Sequence, residues 1–184
     1  MFLMKIFLGY QLTHIFDTCY LSFKDYFLRN QMSELKRLFI EPTAKTPEID
    51  LGNVSGELIF SGKSIPENAA NIYEPVLNWV SNYILNPRPV TNLRINFEYF
   101  NTVSTIWLTR IFKVLAKIND PDYILVIHLY LPIEDYEELR EFDDIRDAFL
   151  PISVIISEAS PSVVIKLYGT DNKFEVVKDS MVFV

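Results

Sequence analysis

The chain has 184 residues, of which 49% are hydrophobic, and a formal net charge of −7. This length predicts one domain with short extensions, and the apolar fraction is sufficient for a packed core. The negative charge argues against nucleic-acid and anionic-membrane partners, and the single cysteine, Cys19, excludes an intramolecular disulfide and a zinc framework, as expected in a reducing cytoplasm.

Residues 1–31 are apolar and aromatic, but Lys5, Gln11, His14 and Asp17 interrupt them. The uninterrupted apolar runs are therefore shorter than the roughly 18–20 residues of a membrane span. Two interpretations stay open: a leader upstream of a natural start at Met32, or added helices that pack on the domain.

The next segment favours short strands. Residues 37–41 form a short apolar run that ends at Pro42, and residues 48–51 suggest a second strand. Residues 57–61 predict a strand that pairs back as a hairpin, with Gly62 closing it.

A helix is predicted from Ser64 to about residue 85. Ser64 and Glu67 have the spacing of a capping box, and apolar residues recur every four positions after them. Pro75 lies inside the pattern and is expected to kink or split the helix.

A strand–helix–strand unit follows in residues 93–131. Leu93, Ile95, Phe97 and Tyr99 alternate with polar residues, as in a strand with one buried face. The apolar face of the next helix is predicted to comprise Ile106, Ile111, Val114, Leu115 and Ile118. Residues 123–131 are almost wholly apolar, which is typical of a strand covered on both faces, so we expect a parallel crossover.

The last part of the chain predicts an acidic helix over residues 134–149, a strand over 153–157 and a β-hairpin. The hairpin strands are residues 162–168 and 173–177, around a turn at Gly169 to Asn172. The order of elements favours an α/β fold, with helices packed on a mixed sheet. Residues 32–158 are the expected domain, and residues 159–184 a C-terminal hairpin extension.

Signatures of catalysis are missing from the sequence. Five scattered glycines cannot build a phosphate-binding loop, and the acidic side chains of one helix diverge rather than converge on a metal ion. His128 lies in the apolar strand, where a neutral, hydrogen-bonded histidine is the expected interpretation. We therefore expect no enzyme, no cofactor and no metal site.

The segment Asn101-Thr102-Val103-Ser104 connects the alternating strand to its helix. One interpretation is structural: Asn101, Thr102 or Ser104 caps the helix, worth about 1 kcal/mol. The other is functional, because a phosphate on Thr102 would meet backbone N–H groups and the positive end of the helix dipole. A partner pressed against that surface, for example on Phe100, would then lose affinity.

Three stretches carry a resemblance to a known family. They are LFIEPTAKTPEIDL (38–51), GKSIPENAANIYEPVLNW (62–79) and EYFNTVS (98–104), and together they resemble the SiaC family of bacterial regulatory phosphoproteins. The resemblance implies a STAS-like fold and reversible phosphorylation of Thr102 by a protein kinase and a PP2C-type phosphatase. It also implies that the unphosphorylated form binds a diguanylate cyclase, which would link the protein to cyclic-di-GMP signalling and biofilm formation.

On this interpretation the phosphoacceptor is Thr102, and the residues expected to contact the partner are Phe100, Asn101, Ser104, Glu67 and Asn68. Val103 departs from the serine that the family motif has next to the threonine. Two alternatives stay open: a constitutive adaptor on the same scaffold that is not phosphorylated, and a small-molecule-binding domain that uses a pocket near His128.

Overall fold

The computed structural model describes residues 35–118, 122–141, 163–173 and 175–183. The chain divides into two compact units, Met1–Leu35 and Lys36–Val184, and all the elements described below belong to the second. They are, in chain order, β1 (Leu38–Ile40), β2 (Glu48–Leu51), β3 (Glu57–Ser64), α1 (Ala69–Tyr83), β4 (Val90–Phe100), α2 (Thr102–Leu115), β5 (Ile124–Pro132), α3 (Ile133–Glu141), β6 (Val163–Thr170) and β7 (Val176–Phe183).

The strands form one mixed sheet in the order β1 to β7. Strands β3, β4, β5 and β6 are parallel, whereas β1, β2 and β7 pair with their neighbours in antiparallel fashion. The predicted α/β fold, the hairpin of β2 and β3 and the parallel pair of β4 and β5 are confirmed. The C-terminal hairpin is part of this sheet, because β6 pairs with β5 along its whole length.

The three described helices pack on one face of this sheet. Tyr83 of α1 hydrogen-bonds Thr91 of β4, and Gly169 of β6 lies against Ile133 and Tyr136 of α3. The core between the helices and the sheet contains Phe60, Val76, Val80, Leu93, Ile111, Leu115, Ile127 and Leu167. Apolar and polar residues alternate along a strand such as β4 because successive side chains point to opposite faces of the sheet, and the helices cover only one of them.

An irregularity near the end of β4 changes which side chains face the helices. The register with β3 passes from Gly62↔Phe97 to Lys63↔Tyr99, so Glu98 is an extra residue. Beyond this bulge Phe100 pairs with Ser64, and its ring lies 5.8 Å from that of Phe97. The bulge therefore turns Phe100 toward the helices and leaves Tyr99, predicted to be on the buried face, 60% exposed.

The expectations for Gly62, Ser64 and Ile106 are wrong, and of the two outcomes expected at Pro75, a kink or a split, the split is excluded. Gly62 does not close β3: the strand continues to Ser64, with Gly62 at a φ of 85°. Ser64 does not cap α1, because the helix begins at Ala69 after Asn68. Helix α1 also continues through Pro75 without being split. Ile106 is 49% exposed, whereas Ile111 and Leu115 of the predicted face are buried. Leu108 and Phe112, which were not predicted, are buried with them.

The predicted end of the acidic helix and the strand over residues 153–157 lie outside the described residues, as do residues 1–34. Of the helices that the structure describes, none is long and apolar enough to cross a membrane.

Candidate functional site at the start of helix α2

The junction between β4 and α2 is a tight, well-bonded turn at Asn101. Asn101 has an extended backbone and is the N-cap of α2; its Oδ1 accepts a hydrogen bond from the backbone N–H of Ser104 at 2.9 Å. Its own N–H donates to the carbonyl of Ser64 at 3.0 Å, which ties the end of β4 to the end of β3. Of the capping residues that the sequence left open, Asn101 is the one used.

Thr102 is the first residue of α2, and it is exposed. The first turn of this helix contains no acidic residue, so no side-chain carboxylate there offsets the positive end of the helix dipole. Backbone N–H groups at a helix start lack intrahelical acceptors. A phosphoryl group on Thr102 would therefore enter a neighbourhood that favours negative charge.

Behind the turn lies a buried chain of three hydroxyl groups. Ser104 Oγ is 2.8 Å from Ser64 Oγ, which is 2.5 Å from the phenol oxygen of Tyr73 on α1. Ser64, Tyr73 and Ser104 are each fully buried. Burial raises the pKa of Tyr73, although its hydrogen bonds with Ser64 and Ser104 act in the other direction, so the phenol stays protonated.

The hydroxyl chain corrects the role expected for Ser104. We expected it to contact a partner, but its side chain is sealed beneath the turn and lies 2.9 Å from Asn101 Oδ1. Ser104 therefore positions the turn from inside. No sequence pattern predicted this network, because Ser64 is 9 residues from Tyr73 and 40 residues from Ser104 along the chain.

Glu67 and Asn68 follow the end of β3 and are both exposed. Glu67 accepts a hydrogen bond from Lys45 Nζ at 2.6 Å, and this bond, together with the ammonium charge, lowers the pKa of Glu67. Asn68 is the N-cap of α1 but forms no side-chain capping bond. Since the carbonyl of Ser64, at the end of β3, accepts a hydrogen bond from Asn101, the segment with Glu67 and Asn68 leaves the sheet at the same end of the strands as Thr102.

Exposed apolar side chains surround Thr102 in the sequence. Phe100 is 48% exposed, Val103 49% and Ile106 49%. Only Phe100 was predicted as a contact residue; Val103 was noted as a departure from the family motif and Ile106 was assigned to the core. We refer to Phe100, Val103 and Ile106 as the apolar cluster, because exposed apolar side chains that form a contiguous patch are candidates for binding proteins.

A cavity of about 500 Å³ adjoins this cluster, at the carboxyl ends of β4 and β5. Leu108 and Phe112 of α2 and Leu129 of β5 contribute to its apolar wall, and Phe100 and Thr105 also line it. The charged side chains among its described lining residues are two carboxylates, Glu98 and Asp135. Glu98 is paired with Lys63 at 3.4 Å, which offsets one of the two charges.

His128 belongs to a different face of the sheet and does not line this cavity. Its Nε2 lies 3.0 Å from Asn92 Oδ1 and its Nδ1 3.0 Å from the Tyr168 hydroxyl. Burial, together with the charges of Arg94 and Lys166, lowers the pKa of His128 to about 4. The histidine is thus neutral and hydrogen-bonded at neutral pH, as predicted, and among the described residues no cluster of three or more metal-ligating side chains exists.

The family model for SiaC family regulatory phosphoproteins matches residues 40–157. The chain belongs to this SiaC family. Its members are regulators, so the sequence resemblance is confirmed at the level of the family. No curated protein sequence matches the chain significantly.

Solved structures of SiaC share the fold. Apo-SiaC from Pseudomonas aeruginosa superposes with a TM-score of 0.53 at 21% identity, covering 71% of this chain and 98% of that one. A second SiaC structure from the same organism superposes with a TM-score of 0.54 at 20% identity, covering 72% of this chain and 99% of that one. A third match, with a TM-score of 0.53 at 20% identity over 71% and 99%, is a chain from the complex of the P. aeruginosa diguanylate cyclase SiaD with its activator SiaC.

Proposed function

We propose that this SiaC-family protein is a signalling switch in which reversible phosphorylation of Thr102 controls binding to a protein partner. The observation that carries the proposal is the exposure of Thr102 at the first residue of α2, within a family of regulatory phosphoproteins. A protein kinase adds the phosphoryl group and a PP2C-type phosphatase removes it. The partner is a diguanylate cyclase, by analogy with the SiaD–SiaC complex of P. aeruginosa.

The physical basis of the switch is a difference between the free and the bound surface. In the free protein a phosphothreonine keeps its water and gains the helix N-terminus, so the domain tolerates roughly two added negative charges. In a complex, a partner covering Phe100, Val103 and Ile106 would remove that water. The phosphorylated form therefore binds more weakly, without unfolding.

The phosphoacceptor is tested by incubating the protein with its cognate kinase and locating the modification by mass spectrometry. We expect phosphate on Thr102 and none on the Thr102→Ala variant. The Thr105→Ala variant is the matched control, since Thr105 lies one turn further along the same helix and half-buried. Modification of Thr105 or another residue alone would refute the assignment.

Partner binding is tested with a purified SiaD-type diguanylate cyclase. Thr102→Ala is expected to bind like the unphosphorylated protein, and phosphorylated protein at least about tenfold more weakly, a difference of about 1.4 kcal/mol. Thr102→Glu imitates the phosphate only in part, because it carries one charge. Equal affinity for both phosphorylation states would favour the constitutive adaptor.

A further inference from the structure

We propose that the cavity between α2 and the ends of β4 and β5 receives one bulky apolar side chain of the protein partner. The inference deepens the proposed function, and rests on it for the identity of that partner. Whether the cavity binds an aromatic side chain can be tested separately, because that test does not depend on whether Thr102 is phosphorylated.

The cavity is continuous with the surface around the phosphoacceptor. Thr105 and Thr109 line it from α2, and they follow Thr102 by one and two helical turns on nearly the same side of the helix. Phe100 lines the cavity and is also 48% exposed, so its ring belongs both to the wall and to the outer surface. A partner that fills the cavity therefore lies over the first turn of α2.

The chemistry of the wall selects the occupant. Leu108, Phe112 and Leu129 are apolar, and about 500 Å³ is ample for an aromatic or branched aliphatic side chain. Glu98 and Asp135 border the same space and would repel an acidic side chain. An acidic residue is therefore disfavoured in the anchor and beside it, and the apolar wall favours an uncharged anchor, because burying an unpaired charge is costly.

Position explains why one modification could release such an anchor. The Thr102 side chain stands one turn from Thr105, a separation of about 5–6 Å between Cβ atoms. A phosphoryl group there would need to stay hydrated at the edge of an apolar contact, and burying an unpaired charge is costly. In this proposal the anchor in the cavity contributes affinity for the partner, and phosphorylation of Thr102 lowers that affinity.

The first experiment titrates the full chain with N-acetyltryptophanamide, a stand-in for an aromatic anchor, and follows backbone amide resonances. We expect shifts at Thr105, Thr109 and Leu129. The Thr109→Phe variant, which fills the cavity, is expected to weaken this binding at least tenfold, whereas Lys113→Phe, an exposed position one turn further along α2, leaves it unchanged. Shifts located elsewhere, or equal binding by Thr109→Phe, would overturn the inference.

The second experiment measures binding of the same variants to the SiaD-type cyclase. Loss of binding by Thr109→Phe, with Thr102 still accepting phosphate and Lys113→Phe still binding, supports the inference. Binding by Thr109→Phe at wild-type affinity would overturn it while leaving the switch at Thr102 intact. If the wild-type chain does not bind the cyclase, the proposed function fails, and the titration with N-acetyltryptophanamide alone decides the cavity.

Folding of the filled variant is checked by circular dichroism. If Thr109→Phe does not fold, Phe100→Ala replaces it, because Phe100 is half-exposed and its truncation removes part of the wall without adding bulk. This variant is expected to weaken the binding of N-acetyltryptophanamide severalfold. Unchanged binding of N-acetyltryptophanamide by Phe100→Ala would overturn the inference, as unchanged binding by Thr109→Phe would.

Discussion

Ser104 is the residue that connects the exposed turn to the core. Its backbone N–H is bonded to the cap at Asn101, and its hydroxyl meets Ser64 inside the protein. Ser64 in turn reaches Tyr73 on a different helix. The buried hydroxyl groups of Ser64, Tyr73 and Ser104 thus hold the turn that carries Thr102, and none of the three is accessible to a partner.

Truncating Ser104 tests this connection. Ser104→Ala leaves the buried Ser64 and Tyr73 hydroxyls short of a partner, so we expect the free energy of unfolding to fall by about 1–3 kcal/mol. Urea denaturation measures it. Ser81→Ala is the matched control, since Ser81 is an exposed helical serine that bonds the carbonyl of Leu77, and it should change stability by less than about 0.5 kcal/mol. Equal effects of the two variants would contradict the role assigned to the network.

His128 makes stability depend on pH. Its pKa is lowered to about 4 by burial and by the nearby charges of Arg94 and Lys166, so the unfolded chain, whose histidine has a pKa near 6.5, binds the proton first as the pH falls. The contribution of His128 is therefore present in full above pH 6.5 and is lost toward pH 4. Between pH 7 and pH 5 we expect a loss of about 2 kcal/mol.

Urea denaturation of His128→Gln at the two pH values isolates this contribution. The variant keeps polar atoms for Asn92 and Tyr168 but does not titrate, so its stability should fall by about 2 kcal/mol less than that of the wild type over the same interval. The same fall in both proteins would mean that other groups, not His128, carry the dependence.

At the scale of elements, the paired irregularities of β3 and β4 shape the site. Gly62 has a φ of 85°, and the register with β4 shifts at the next residue. This shift brings Phe100 opposite Ser64, on the side that faces the helices, and so gives the cavity part of its wall. The end of β4 thus carries one of the candidate contact residues, Phe100.

Substituting Gly62 tests whether this backbone conformation matters. No atom lies within 4 Å of a Cβ added there, so Gly62→Ala should cost only backbone strain, about 1–2 kcal/mol. Gly62→Asn should cost less, since asparagine tolerates positive φ better than alanine. Thermal unfolding should give the highest melting temperature for the wild type, a lower one for Gly62→Asn and the lowest for Gly62→Ala. If Gly62→Ala melts at the wild-type temperature, the positive φ at this position does not matter for stability.

At the scale of the whole molecule, the proposed switch would work on a domain that stays folded in both states. Thr102 is exposed and contributes nothing to the core, whereas the sheet and its helices bury side chains from all parts of the described domain. We expect Thr102→Glu to change the free energy of unfolding by less than about 0.5 kcal/mol, because surface substitutions away from buried features are nearly neutral. Near-ultraviolet circular dichroism and urea denaturation check this. Partial unfolding of the variant would show that a negative charge at position 102 weakens partner binding by destabilising the domain and not by changing the contact surface.

The sequence alone determined the periodicities and the motifs. Alternation in β4 and the apolar run of β5 predicted strands correctly, because side-chain direction in a strand follows from local geometry. The C-terminal hairpin was also predicted, but its turn was placed too early: Gly169 and Thr170 belong to β6, and β7 begins at Val176 instead of residue 173. The motif around Thr102 likewise directed attention to the start of α2, and the family it resembles is the one the chain belongs to.

Only the tertiary structure decided what those side chains meet. Ser64 looked like a helix cap and Ser104 like a contact residue, but both are buried in a network of groups far apart in sequence. The bulge at Glu98 moved Phe100 to the helix side of the sheet, and the packing of α2 left Ile106 exposed. Local patterns cannot anticipate these outcomes, because burial and hydrogen bonding between distant segments depend on how the elements pack together.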